Sequence, residues 1–263
     1  MSLAVLFIVL FAMLLIGVPV GFAIGGATMV SMYFCSNLNM VVNAQYCYSG
    51  ISSFTVMAIP FFMLAGVIMS TGGIAKRIVN FASALIDFVA GALGSVAILA
   101  SMFFGALSGS GMATTSAIGS MMIPEMIVKG YDPAYAATLV CFGGIVGPII
   151  PPSLSFVLYG STTGTPVPAL FLAGILPGLL LGIVFIIVNT IICKKNGIDL
   201  NEREVEYKET PMSELLKKRG KRIWESLKDG IWALLSPAII LGGIYSGVFT
   251  PTEAACVSVV YSA

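Results

Sequence analysis

The apolar positions of this chain fall in long blocks, not in the short alternations of β-strands. Residues 3–34 form one predominantly apolar run. A single helix of that length would span about 48 Å, against a hydrocarbon core of about 30 Å. Gly17-Val18-Pro19 sits mid-run and suits a break, so the run predicts two short crossings, with one long tilted helix as the alternative. The polar, uncharged stretch from Cys35 to Gly50 predicts a loop. Residues 51–70 predict another crossing, ending at Thr71-Gly72-Gly73. Lys76, Arg77 and Asp87, set among apolar residues, predict a helix lying at the membrane interface over 74–90.

Two apolar halves then flank Ser108-Gly109-Ser110-Gly111. The second half, Met112 to Pro124, would be roughly 20 Å of helix, too short to span, so residues 91–128 predict a re-entrant hairpin. Residues 133–160 are apolar but interrupted by Gly147-Pro148-Ile149-Ile150-Pro151-Pro152-Ser153, which predicts a broken helix. Residues 167–193 predict a crossing, 212–229 a basic amphipathic helix, and 231–249 a further crossing, with another apolar run after it.

Composition decides the solvent. Hydrophobic residues make up 58% and charged residues 10%, against roughly 45–50% and about 25% in soluble domains; mean hydropathy is +1.01. No soluble core hides that much apolar surface, so the chain reads as an all-α polytopic membrane protein. Residues 1–75 carry no Asp, Glu, Lys or Arg, and 18 of the 25 charged residues lie between Lys194 and Asp229. Histidine is absent, which removes histidine-metal sites and Ser-His-Asp or Cys-His catalysis. There is no P-loop, GxGxxG or GxSxG motif, so no enzyme activity is signalled. A net charge of +1 argues against nucleic acid as a partner. None of the five cysteines forms a CxxC pair; Cys35 and Cys47 flank the polar loop and could pair.

All 13 Lys and Arg fall in 74–90, at 129, or in 194–229. One alternating topology puts every one of them on the same face, the cytoplasmic one by the positive-inside rule, with the N-terminus outside. The segment from 231 then enters from the side opposite to residue 1, the geometry of an inverted repeat. Gly247-Val248-Phe249-Thr250-Pro251 echoes Gly17-Val18-Pro19, each following an apolar helix.

Two stretches carry chemistry. Pro148, Pro151 and Pro152 would free the carbonyls of Gly144, Gly147 and Pro148 from helical bonding. Each unpaired carbonyl in hydrocarbon costs several kcal/mol, so the backbone must be unwound and satisfied by protein, water or a cation. Freed carbonyls with the Ser153 hydroxyl are hard oxygen ligands that suit an alkali cation; the alternative is a proline-kinked packing helix with water in the gap. At the hairpin tip, the second arm begins near Gly111 and turns its free N–H groups and positive dipole end inward, which suits a carboxylate. The first arm ends near Ser108 with free carbonyls that suit a cation, and the alternative is a flexible loop in water. A re-entrant tip beside a broken helix is how secondary transporters build midplane sites. The glycine pairs among Gly17, Gly21 and Gly25, with Gly143/Gly147 and Gly178/Gly182, predict close helix packing. Asp87, Glu125, Lys129 and Asp132 lie at predicted interfaces. Glu253 is either a helix-start acid or a buried functional carboxylate.

The blocks GVPVGFAIG, IPFFMLAGVIM, FFGALSGSGMATTSAIGSMMIPEMIVKGYDP, GGIVGPIIPPS and GVFTPTEAA resemble the large membrane subunit (DctM) of tripartite ATP-independent periplasmic (TRAP) transporters. The resemblance runs over essentially the whole chain but covers only the first half of that family's pattern and the opening of the second. It therefore implies a truncated or partial permease, lacking the second hairpin and second broken helix. It implies an inverted-repeat, elevator-type secondary transporter of the bacterial inner membrane, importing organic acids such as C4-dicarboxylates or sialic acid on a sodium gradient. Na+ is then a co-transported ion, with no organic cofactor. The implied partners are a small DctQ-like membrane subunit and a periplasmic DctP-like binding protein.

On this resemblance residues 1–73 are scaffold, 74–90 an arm, 91–193 half of a transport domain, 194–230 a cytoplasmic linker and second arm, and 231–263 the start of the second repeat. Sodium would be held around Ser108, Gly109, Ser110, Gly144, Gly147, Pro148, Ile150 and Ser153. Substrate would lie near Ser110, Gly111, Met112, Pro151, Pro152 and Ser153. A stand-alone sodium- or proton-coupled anion symporter of related fold, and an inactive fragment of the permease, are the alternatives. A channel or an intramembrane enzyme is disfavoured, because the crossings lack His and ionisable residues.

Overall fold

A computed structural model describes residues 2–35, 39–86, 89–198 and 212–263, with side chains described except at Ser2, at 212–219 and at Ala233. The described residues are helical, without strands. They fall into two compact units, Met1–Ser53 and Phe54–Ala263.

In the first unit, α1 (Ser2–Leu15) and α2 (Val20–Cys35) are separated where Gly17-Val18-Pro19 predicts a break. Gly17 takes φ +87°, a left-handed turn that glycine alone adopts at little cost. The helix closes with Gly17 N–H donating to the Leu14 carbonyl and Val18 N–H to the Met13 carbonyl, the Schellman arrangement. The expected loop at 35–50 is corrected: Met40–Ile51 is a helix, α3. Asn39 caps it by accepting from Val41 N–H at 3.1 Å, and no glycine or proline interrupts it before Gly50. Cys35 and Cys47 are both free thiols.

The second unit opens with α4 (Ala58–Thr71) and α5 (Ile74–Ile86), which meet at 76° across Gly72-Gly73. α5 is amphipathic, burying Ala75, Ile78, Phe81 and Ala82 and exposing Lys76 and Arg77. Asp87 lies outside the described residues. α6 (Ala92–Ser108) and α7 (Gly111–Val128) form the hairpin. Its second arm does not stop at Pro124: α7 runs 18 residues, about 27 Å, and ends at a Gly130 turn with φ +89°. One proline four residues from a helix end removes a single N–H, which the rest of α7 tolerates. The arms are thus nearly equal in length, and the hairpin is marked by its buried tip instead of by a short arm.

α8 (Pro133–Val146) is capped by Asp132, whose Oδ1 accepts from Ala134 and Tyr135 N–H at 2.9 and 3.1 Å. It tightens into a 3₁₀ turn at Gly147–Ile149, breaks, and resumes as α9 (Leu154–Thr163) at 46°. α10 (Val167–Asn196) is, among the described residues, the one helix long and apolar enough to cross a membrane by itself. The bent pairs α4/α5 and α8/α9 also qualify if each is one span, as do the halves of α11 (Met212–Tyr245), which bend by 60°. The bend falls between Trp232 and Leu234, between the charged first half and the apolar second half.

α12 (Pro251–Ser262) begins after a turn that repeats the first one. Gly247 has φ +75°, its N–H donates to the Ile244 carbonyl, and Val248 N–H donates to the Gly243 carbonyl. The spacing of both bonds matches that at Gly17 and Val18, so the sequence echo is also a geometric one. Glu253 proves to be a helix-start acid: with Thr250 it forms a capping box, its Oε2 accepting from Thr250 N–H at 2.8 Å. α12 lies along α4, where Thr252 Oγ1 donates to the Phe54 carbonyl at 2.8 Å and Ala58, Phe62, Ala254 and Ala255 are buried in one apolar cluster. The larger core joins α5, α6, α7 and α8 around Val96, Ile98, Phe104, Ile118, Met122 and Val140.

Candidate functional site

The hairpin tip is interior. Ser108 is 2% exposed and Gly109 is buried in a left-handed turn, φ +61°. Ser110 caps α7, its Oγ accepting from Ala113 N–H at 3.4 Å. Ser108 Oγ accepts from Ser110 N–H at 3.3 Å and pairs with Thr114 Oγ1 at 3.1 Å. Thr114 Oγ1 also donates to the Ser110 carbonyl at 2.8 Å. The tip hydroxyls thus bond to one another and to their own backbone, which holds the start of α7 in place.

Small residues let the broken helix meet this tip backbone to backbone. A Cβ on Gly111 would stand 2.8 Å from the Gly144 carbonyl oxygen, so that carbonyl faces the start of α7. Gly109 lies against the Pro152 carbonyl and Leu154 N–H, each 3.3 Å from where its Cβ would be. Below the tip, Gly105 and Gly147 abut so closely that neither has room for a Cβ. From the other side α4 touches the tip through Gly66, whose Cβ would meet Ser108 Cα at 3.0 Å.

Around the break, Ser153 is wholly buried and caps α9, its Oγ accepting from Phe156 N–H at 3.4 Å. The Pro151–Pro152 bond is cis. The Gly147 carbonyl, one of the three expected to be freed, accepts from Ile150 N–H at 3.1 Å because the chain tightens into its 3₁₀ turn before it breaks. Pro148 replaces the N–H that would have bonded the Gly144 carbonyl in a continuous helix.

A cleft of about 820 Å³ opens along α7 and α8, lined by Gly109, Ser110, Gly111, Met112, Thr115, Ser116, Cys141, Gly144, Ile145, Pro148, Leu154 and Ser155. The predicted residues Gly109, Ser110, Gly111, Met112, Gly144 and Pro148 therefore share one wall. Gly147, Pro152 and Ser153 are buried behind it. Ile150 and Pro151 face away, into an apolar crevice with Phe81, Phe103, Pro237 and Leu241. Thr115, Ser116, Cys141 and Ser155 are lining residues that the motifs did not single out. Thr115 was within reach, since a helix starting at Gly111 returns to the same face four residues later. A second, hydroxyl-rich crevice of about 420 Å³ lies between α4 and α7, with Gly66, Ser70, Thr71, Ser108, Ser110, Ser116 and Ser120 on its walls.

The site offers hydroxyls, backbone carbonyls, helix N-termini and the Cys141 thiol, with no Asp, Glu, Lys or Arg lining either space. Among the described residues no group of His, Cys, Asp or Glu could hold a transition metal. The hydroxyls, carbonyls and helix N-termini of this set suit hard cations and small anions.

The family model for the tripartite ATP-independent periplasmic transporter DctM component matches residues 7–263. The chain belongs to the DctM family. A C4-dicarboxylate TRAP transporter large permease protein of Vibrio cholerae is 39% identical over 263 residues, covering 100% of this chain and 55% of that protein. A sialic acid TRAP transporter large permease protein of the same organism is 39% identical over 250 residues, 95% of this chain and 55% of its own. A C4-dicarboxylate large permease protein of Pseudomonas aeruginosa is 44% identical over 211 residues, 80% and 46% of the two chains. This DctM-family chain thus spans about half the length of the curated relatives it matches. Its relatives are transporter permeases, and the buried-tip hairpin and broken helix are the distinctive part of its helical fold.

Proposed function

We propose that the chain is the first half of a sodium-coupled TRAP permease that imports an organic acid through the bacterial inner membrane. The observation that supports this most is the approach of the hairpin tip to the broken helix, with the Gly144 carbonyl turned to the start of α7. Carbonyls and the Ser108, Ser110 and Ser153 hydroxyls meet there as hard donors for Na+, the co-transported ion. The first N–H groups of α7, opening on the cleft, offer an anionic substrate its carboxylate partner. Relatives whose names carry C4-dicarboxylate and sialic acid support organic acids as the substrate class.

Each charge moved across the membrane gains about 2.3 kcal/mol per 100 mV, so two sodium ions with a monoanion move inward with the field. A small DctQ-like subunit and a periplasmic DctP-like protein complete the assembly; a relative from Oleidesulfovibrio alaskensis carries both letters in its name, DctMQ. The chain enters with its N-terminus in the periplasm and keeps its basic residues cytoplasmic. Residues 91–193 ride as the moving element past a scaffold built from 1–73.

The test is uptake into proteoliposomes by the full-length parent with its small subunit, with and without the binding protein. Uptake should need both sodium and the binding protein, and should fall at least tenfold in Ser110→Ala and Pro152→Ala. Uptake that persists without the binding protein would instead establish a stand-alone symporter. Indifference to sodium would reduce the GPIIPPS stretch to a structural kink.

A further inference from the structure

A second polar cluster lies at the other end of α6, about 25 Å from the tip by the length of that helix. Its centre is Asn189 on α10, wholly buried. Asn189 Nδ2 donates to the Gly91 carbonyl at 2.9 Å and to Ser95 Oγ at 3.0 Å, both at the start of α6. Its Oδ1 accepts from Tyr135 Oη of α8 at 3.1 Å and from Cys193 Sγ of α10 itself at 3.4 Å. An amide has two donor hydrogens and two acceptor lone pairs, and all four are used.

The backbone is shaped for this centre. Gly91 has φ +71°, and a Cβ there would stand 2.6 Å from Cys193 Sγ. A Cβ on Gly94 would stand 2.6 Å from Asn189 Oδ1. Gly94 N–H donates to Tyr131 Oη at 3.2 Å, and the Tyr131 ring stacks on Tyr135 at 6.2 Å, which brings in the turn after α7. The first hairpin arm, the broken helix and α10 are therefore tied through one side chain, and the turn after α7 is joined to them through Tyr131. Asn189 is wholly buried, so displacing any one element strands a buried polar group.

We propose that Asn189 is a positioning residue that pins the hairpin and the broken helix into one rigid block. This hairpin then cannot swing at its base as a gate of its own, and its tip keeps its geometry against α8 and α9 while the block moves. The inference rests on the reading that tip and break together form the transport site.

The test uses the full-length parent and compares wild type with Asn189→Leu, which keeps the branched shape and removes all four bonds, and with Tyr135→Phe and Ser95→Ala, which remove one each. Two quantities are read: hydrogen–deuterium exchange at residues 105–111 and 153–156, and the sodium concentration that half-saturates protection against thermal unfolding. In Asn189→Leu, exchange at the distant tip should accelerate at least tenfold and half-saturating sodium should rise about fivefold or more. The single-bond variants should move both quantities in the same direction by less, and they carry the test if Asn189→Leu does not fold. Faster exchange confined to 91–95 and 189–193, with the tip unchanged, would make Asn189 a local staple and overturn the proposal. If wild type shows no sodium response, the sodium reading falls while exchange at the tip still decides the pin.

Discussion

At the scale of single residues, space explains more than charge. Gly105 and Gly147 abut without room for a methyl group, and Gly111 faces the Gly144 carbonyl at 2.8 Å from its absent Cβ. Gly105→Ala must push the hairpin off the broken helix, and we expect a loss of about 1–3 kcal/mol, the range for overpacking, read as a lower melting temperature in detergent. Gly111→Ala leaves the core alone but displaces the site carbonyl, so its signature is at least tenfold weaker uptake with stability nearly kept. Gly21 has nothing within 4 Å of an added Cβ. Gly21→Ala should therefore be neutral or stabilise α2 by about 0.5–1 kcal/mol, even though the Gly17/Gly21/Gly25 pattern predicts packing. Sequence alone cannot separate Gly105 from Gly21, because both are glycines in apolar helices and the difference lies in what crosses them. By contrast Gly143, Gly147, Gly178 and Gly182 do meet neighbours: Ser101, Gly105, Ile150 and Met102.

Elements were legible where local chemistry terminates them. Gly17 and Pro19 split the first apolar run, Ser110 and Ser153 start helices, and Thr250 with Glu253 builds a capping box. Thr250→Ala should cost about 1 kcal/mol, seen as earlier thermal unfolding, with faster hydrogen exchange confined to the first turn of α12. The misread elements are those whose composition and context disagree. Polar residues at 40–51 suggest a loop, yet nothing there stops a helix that Asn39 caps. Pro124 suggests an end, yet it removes one bond near the end of α7. The charges of 212–229, by contrast, lie in a half of α11 set off by a 60° bend from the apolar half that follows.

At the scale of the whole molecule, apolar composition and helix-length arithmetic pointed to a membrane protein, and the tip and the break could be read from Gly, Ser and Pro alone. What they touch could not: the meeting of Gly111 with Gly144 and of Asn189 with Gly91 joins residues 33 and 98 positions apart in sequence. No local periodicity encodes such pairs. The sodium and binding-protein requirements are tested at this scale, in the assembled transporter.

α10 has a further consequence. Its apolar stretch, residues 167–193, extends about 40 Å, while the hydrocarbon layer is about 30 Å thick. The excess must be taken up by leaning or by a local swelling of the lipid, at a cost that changes with every ångström of mismatch. Lys194 and Lys195 in the last turn suit headgroups at one end, which would give the lean a defined foot. Bilayer thickness therefore becomes a control variable for the protein. With the full-length parent reconstituted into phosphatidylcholines of increasing acyl length, the proposed uptake should pass through a maximum instead of staying flat.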